Sequence, residues 1–135
     1  MNRESIEAFS ARWLNAICAG NYSEFESLAA PDALDVVTGQ RAGPGVFQER
    51  ARAVHEAFAD LTGQVEQLLI DDERERIAWR WTLRGRQRLP FLAEPSTGRT
   101  ITLSGVNFQR LERGRVSEHF TLFDALGAVR QMRGA

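Results

Sequence analysis

The polar groups best placed to do chemistry lie near the C-terminus, on two alternating runs of side chains. Arg99 to Asp124 reads as one long β-hairpin turning at Arg113-Gly114, where glycine accepts the positive φ of a two-residue turn. That turn predicts four facing pairs: Leu111 with Val116, Gln109 with Glu118, Asn107 with Phe120, and Leu103 with Asp124. Side chains alternate across a strand, so Asn107, Gln109, Glu118 and Asp124 share one otherwise apolar face. A half-polar inner face points to a lined pocket rather than a solid core. Ser104, Phe108, Arg110, Ser117, His119, Thr121 and Phe123 are expected on the opposite face.

A carboxylate held among apolar groups has a raised pKa and becomes a better base. A carboxamide can donate to a carbonyl or enolate oxygen but cannot act as a base near neutral pH. Asp124 is therefore the leading catalytic candidate and Asn107 its neutral donor. Asp124 also has a structural reading, as the N-cap of the segment that follows, which would depress its pKa instead. Glu118, near the hairpin end, is expected in a salt bridge with an arginine. His119 is expected at the surface or in a subunit contact. His55 borders an apolar helical stripe, either as a core-edge histidine or as a group facing the pocket. Trp13, Phe58, Trp79, Trp81 and Phe120 belong to the core, and those that border the cavity would suit flat polycyclic ligands, with Gln109 as a polar contact. Asp32 and Asp60 read as turn or cap residues.

These groups need elements to carry them. Ile6, Phe9, Trp13 and Ile17 form one stripe of a helix from Asn2 or Ser5 to about Ala19, ended by Gly20. Asn21 is expected to cap a second helix, with Glu24 as its capping-box partner and Pro31 as its stop. Leu34 to Val37 reads as a short edge strand, and Gly39–Gly45 as a turn. Pro44 suits the first turn of a third helix, whose stripe Phe47, Ala51, Val54, Phe58 and Leu61 closes at Gly63. From Gln64 the period becomes alternating. Gln64–Ile70 is a strand, Asp71–Arg76 a solvated turn, and Ile77–Arg88 a long strand. One face of that strand is Ile77, Trp79, Trp81, Leu83 and Gly85, the core side. The other carries Arg80, Arg84, Arg86 and Arg88, either as a solvated face or as a subunit contact. Leu89–Gly98 is an irregular loop at the pocket mouth, and Ala125–Met132 a closing helical turn. Three helices followed by an antiparallel meander is an α+β arrangement, a sheet curled into a cone around an internal pocket.

The 135 residues suit a single domain spanning 1–135, and 43% hydrophobic residues argue against disorder. All 17 basic residues are arginine, and they nearly cancel 18 acidic ones. That balance lacks the positive field of nucleic-acid binding. No apolar run reaches the roughly 18 residues of a membrane span, and the N-terminus has no signal-peptide core, so a cytoplasmic domain without membrane association is expected. Cys18 is the only cysteine, which excludes an intrachain disulfide and a thiolate cluster. With only two histidines, neither a metal nor another cofactor is expected.

The order of elements, with Ala57-Phe58-Ala59-Asp60-Leu61, the Ser96-Thr97-Gly98-Arg99 turn, and Glu118-x-Phe120-x-x-x-Asp124 followed by Leu126 and Gln131-Met132, resembles the SnoaL-like polyketide cyclases of the nuclear transport factor 2-like superfamily. The resemblance runs from Trp13 to Met132. It implies that superfamily's cone-shaped fold, a homodimer, and a pocket for an apolar or polycyclic small molecule. It further implies a cofactor-independent aldol cyclisation or isomerisation, with a carboxylate, here Asp124, as base. Non-catalytic ligand-binding or dimerisation modules and epoxide hydrolases share the superfamily. The chain departs from the family at three positions. Asn107 stands where the family usually has His, Phe120 where it has Trp, and Thr121 where an Asp often follows that aromatic residue.

Overall fold

The first helix, α1 (Arg3–Cys18), starts where the Asn2 side chain accepts the Ser5 N–H at 2.8 Å and buries Ile6, Phe9, Trp13 and Leu14 along one face. The computed structural model describes residues 1–134. After Gly20 the chain makes one 3-10 turn (Tyr22–Glu24) and the short α2 (Phe25–Leu28). Asn21 makes no side-chain cap there, and Glu24, its expected partner, instead forms an ion pair with Arg12 of α1. Helix α2 ends at Leu28, and strand β1 (Ala29–Asp35) follows directly. Pro31 therefore lies inside a strand instead of stopping a helix. The β1 ladder is interrupted between Ala29 and Leu34, which is where a residue without an N–H is tolerated.

After the two-residue β2 (Gln40–Arg41), helix α3 (Pro44–Ala57) passes without a loop into β3 (Phe58–Asp71). The expected helical stripe ran on through Phe58 and Leu61, but both belong to β3. They reach the core at odd spacing because the pairing with β4 breaks between Ala59 and Thr62, where Asp60 has φ 55°. Strand β4 (Arg76–Gln87) alternates as expected, with Ile77, Trp79, Trp81 and Leu83 buried and its arginines outside. Strand β5 (Thr100–Glu112) and β6 (Arg115–Phe123) form the hairpin, and α4 (Ala125–Arg133) closes the described chain.

The sheet order is β2-β1-β6-β5-β4-β3, antiparallel except for the parallel pair β1/β6. Its concave face wraps the buried sides of α1 and α3, the α+β cone expected. The hairpin turn has Arg113 and Gly114 at φ 53° and 79°, and Leu111 faces Val116. Beyond that pair the register departs from the expected one. Ser117 is skipped, so Arg110 faces Glu118, Gln109 faces His119, Phe108 faces Phe120 and Asn107 faces Thr121. One unpaired residue exchanges the two faces of the rest of β6. His119 and Thr121 turn inward, while Glu118 and Phe120 turn outward.

The long loop after β4 is organised by Gln87, which is fully buried. Its amide donates to the Leu89 carbonyl at 3.1 Å and accepts from the Thr97 hydroxyl at 3.0 Å. Helix α4 docks on β5 through Gln131, whose side chain accepts the Thr102 N–H at 2.7 Å and donates to the Thr102 carbonyl at 2.8 Å. Trp81 faces Gly105 across the β4/β5 ladder. A Cβ at Gly105 would lie 2.4 Å from the indole Cζ2 and 2.7 Å from the Leu122 carbonyl oxygen. Gly105→Ala is expected to destabilise the protein by about 1–3 kcal/mol through overpacking. Urea denaturation checks this, and an unchanged midpoint would show that the indole can move aside.

Candidate functional site

Between α1, α3 and the concave sheet lies a cavity of about 350 Å³. Trp13, Leu14 and Ile17 of α1, Phe47, Ala51 and Val54 of α3, and Trp81 and Leu83 of β4 wall it, with Phe91 and Leu92 from the long loop at its mouth. Its polar wall groups are Arg50, Asn107, His119 and Thr121. Three other depressions are larger, about 480 Å³ near Asp72 and Arg113, about 750 Å³ near Asp32 and Arg115, and about 360 Å³ near Glu7 and Glu66, and charged or polar side chains edge all three. The apolar walls of the first cavity, set with a few polar groups, make it the candidate ligand site.

Asn107 is 3% exposed, and its Oδ1 accepts the Trp81 indole N–H at 3.0 Å. No protein partner is found among the described residues for its Nδ2, and the side chain lines the cavity. Gln109 sits one rung away. The Trp79 indole donates to its Oε1 at 2.9 Å, and its Nε2 lies 3.1 Å from His119 Nδ1. The His119 ring stacks on Trp13, centroids 5.1 Å apart, and meets the Phe47 ring edge-on at 5.0 Å. Burial, assisted by the Arg50 charge and opposed by Asp35, pushes the His119 pKa down to about 4. At neutral pH it is an uncharged imidazole.

Asp35 was not singled out by the sequence, yet it is 1% exposed beside His119, its partner in the β1/β6 ladder. Its carboxylate pairs with Arg50 and accepts from the Thr38 hydroxyl at 3.1 Å and the Val37 N–H at 3.2 Å. Burial alone would raise its pKa, but the Arg50 hydrogen bond and charge outweigh burial and hold it below the usual value. The pair satisfies both charges and leaves Asp35 a poor base. Its only sequence signal is a lone carboxylate in the apolar run Ala33-Leu34-Asp35-Val36-Val37.

Asp124, expected on the pocket wall, is exposed outside the cavity. It caps α4, its Oδ1 accepting the Gly127 N–H at 2.8 Å, because the skipped residue in β6 moves it off the inner face. Glu118 makes the expected salt bridge, to Arg76 at 2.9 Å. Phe120 packs on Phe108 at 5.9 Å on the outer sheet face, away from the cavity. His119, expected outside, is the buried histidine of the cavity. His55 packs against Tyr22 at the end of α3 and does not border the cavity; its Nδ1 is buried without a partner. Phe58 is core, packed on Phe91 at 5.1 Å. Trp13 and Trp81 border the cavity, whereas Trp79 and Gln109 stand behind it. Burial pushes the Cys18 thiol up to about 11, so it stays protonated. Among the described residues, no three His, Cys, Asp or Glu side chains gather as a metal-binding group. None of their helices is long and apolar enough to cross a membrane.

The family model of SnoaL-like polyketide cyclases matches residues 8–132. The chain belongs to that family. TsrD from Streptomyces laurentii superposes with a TM-score of 0.89 at 21% identity, over 100% of this chain and 99% of that one. A SnoaL-like polyketide cyclase from Agrobacterium tumefaciens superposes at 0.76 and 17% identity, over 92% of this chain and 94% of the other. The sequence finds no match among curated proteins. In this SnoaL-like chain the cavity walls described carry no carboxylate, so their chemistry is that of neutral donors around one compensated arginine.

Burial of His119 has a consequence for stability. The unfolded chain takes up the imidazole proton near pH 6.5, the folded one only near 4. Between those values the unfolded state binds more protons, so stability falls as the pH drops through this window and is level above it. The loss from pH 7 to pH 4 is expected to reach about 3 kcal/mol. His119→Gln should flatten that slope in urea titrations, and an equally steep variant would refute the assignment. Asp35, with its lowered pKa, adds its own loss only below its ordinary value of 3.8.

Proposed function

We propose that the cavity binds a largely apolar, carbonyl-rich small molecule and that the chain acts on it as a cofactor-independent cyclase or isomerase of the polyketide type. The observation that carries this reading is Asn107. Its oxygen is held by the Trp81 indole, so its Nδ2 donors are left for a ligand in a largely apolar cavity. Such a donor, desolvated and already oriented, stabilises the negative charge that develops on a carbonyl oxygen when the adjacent carbon loses its proton. With no carboxylate on the described walls, the proton of a carbon between two carbonyls passes to solvent base, water or hydroxide, at the mouth. The alkoxide formed on ring closure takes a proton back from that solvent. The remaining acceleration is orientation of the folded chain by Trp13, Phe47 and Trp81. Asp124 has no part in this proposal.

A second reading, a binding module without catalysis, draws support from the absence of a carboxylate on the described walls. Incubation with poly-β-carbonyl compounds, followed by mass and chromatographic analysis, separates the two. Turnover is expected, with Asn107→Leu lowering kcat by about 10²-fold or more and Asp124→Asn leaving it unchanged. A ligand retained without chemical change would favour the binding module.

The proposal includes a homodimer working in the cytoplasm, where a lone thiol such as Cys18 stays reduced. Leu69, Phe108 and Leu122 stand out on the convex sheet face at 60%, 54% and 56% exposure, an apolar patch suited to a second copy. Leu122→Arg is expected to shift the mass measured by light scattering from dimer to monomer. A wild type that is monomeric at micromolar concentration would refute this part.

A further inference from the structure

Trp79 and Gln109 are buried behind the cavity, at 2% exposure each, and touch no ligand space. They nonetheless bear on what the cavity presents. An indole nitrogen is a donor only, so the Trp79 N–H at 2.9 Å requires an oxygen, and Gln109 has a single side-chain oxygen to give. The amide orientation is thereby settled, and its NH2 edge faces His119 Nδ1 at 3.1 Å. An amide NH2 offers hydrogens and no usable lone pair, so Nδ1 must accept. The one proton of the neutral ring then sits on Nε2, for which no hydrogen bond is found among the described residues, in a side chain that lines the cavity.

We infer that Trp79 and Gln109 are positioning residues that hold His119 in its Nε2–H form, so that the cavity meets a hydrogen-bond donor and not a basic nitrogen. The opposite form would turn the amide, set its NH2 against the Trp79 N–H and leave a buried donor unsatisfied, a disadvantage on the order of tenfold or more in population. The doubly protonated ring fails for the same reason, and the lowered pKa of His119 agrees with this. Two tryptophans of one strand thus act alike. Trp81 orients Asn107 directly, and Trp79 orients His119 through Gln109. Both deliver an N–H to the cavity, which favours ligands with acceptor oxygens and withholds from His119 the role of general base. The ligand preference rests on the carbonyl-binding reading above, whereas the tautomer is a property of the free protein.

Nitrogen-15 NMR of the ligand-free protein near pH 7 tests the inference, with His55→Gln assigning the only other imidazole. A protonated, pyrrole-type Nε2 and a bare, pyridine-type Nδ1 are expected for His119. Gln109→Glu supplies an acceptor-only side chain that takes both the Trp79 N–H and a ring N–H, so the proton should appear on Nδ1. Trp79→Phe frees the amide to turn and should yield a mixture of the two forms, which keeps the test alive if the glutamate variant does not fold. A proton on Nδ1 in the wild type, or a folded Gln109→Glu with Nδ1 still bare, overturns the inference. An unmixed Nε2–H signal in Trp79→Phe overturns the role of Trp79. Failure to turn over poly-β-carbonyl compounds would leave these spectra as they are and count against the cyclase reading alone.

Discussion

The site depends on one residue that does not pair. Skipping Ser117 in the β5/β6 ladder reverses which side chains of β6 face the helices. With continuous pairing, Glu118 would sit beside Gln109, and an acidic group would have to be compensated deep under Trp13. With Ser117 skipped, Glu118 reaches Arg76 at the surface and His119 fills the inner position. The parallel strand β1 then sets Asp35 alongside His119, and Asp35 draws Arg50 of α3 to the cavity edge. A histidine, an ion pair and an amide relay therefore follow from a single irregularity.

Much of the fold could be read from periodicity, for a physical reason. Strict alternation on β4 has one solution, tryptophans in and arginines out, and the stripe of α1 has one buried face. Irregularities are not encoded that way. Nothing in Val116-Ser117-Glu118-His119 marks Ser117 as the residue to omit, and the spacing of Phe58 and Leu61 suits a helix as well as a bulged strand. The candidate site was readable where it lay before the irregularity: Asn107 and Gln109 are on the inner face as expected, while Asp124, Phe120 and His119 are exchanged with respect to expectation. Asp35 escaped because its significance lies in a partner on another element. The capping role of Asp124 was visible, since it stands just ahead of α4 with an N–H three residues on.

The relatives show how little identity this architecture needs, with TM-scores of 0.89 and 0.76 at 21% and 17% identity. Shape is kept by the pattern of apolar faces, which tolerates exchange of one large side chain for another. The cavity's chemistry has no such tolerance, because it is set by a few polar atoms that must each be satisfied or exposed. Family membership and the polar inventory of the walls are therefore separate facts about this chain.

Gln131 carries a consequence beyond the docking of α4. Strand β6 stops opposite Gly105, the Asp124 N–H still meets the Ser104 carbonyl at 2.8 Å, and β5 from Thr100 to Leu103 then has no strand on that side. A bare strand edge offers its N–H and C=O groups to any other chain and invites edge-to-edge association. The Gln131 amide meets the Thr102 N–H and C=O with one acceptor and one donor, as a neighbouring strand would. A single side chain on the last helix thus serves as a one-rung false strand, closing the sheet against fibrous growth where its own hairpin runs short.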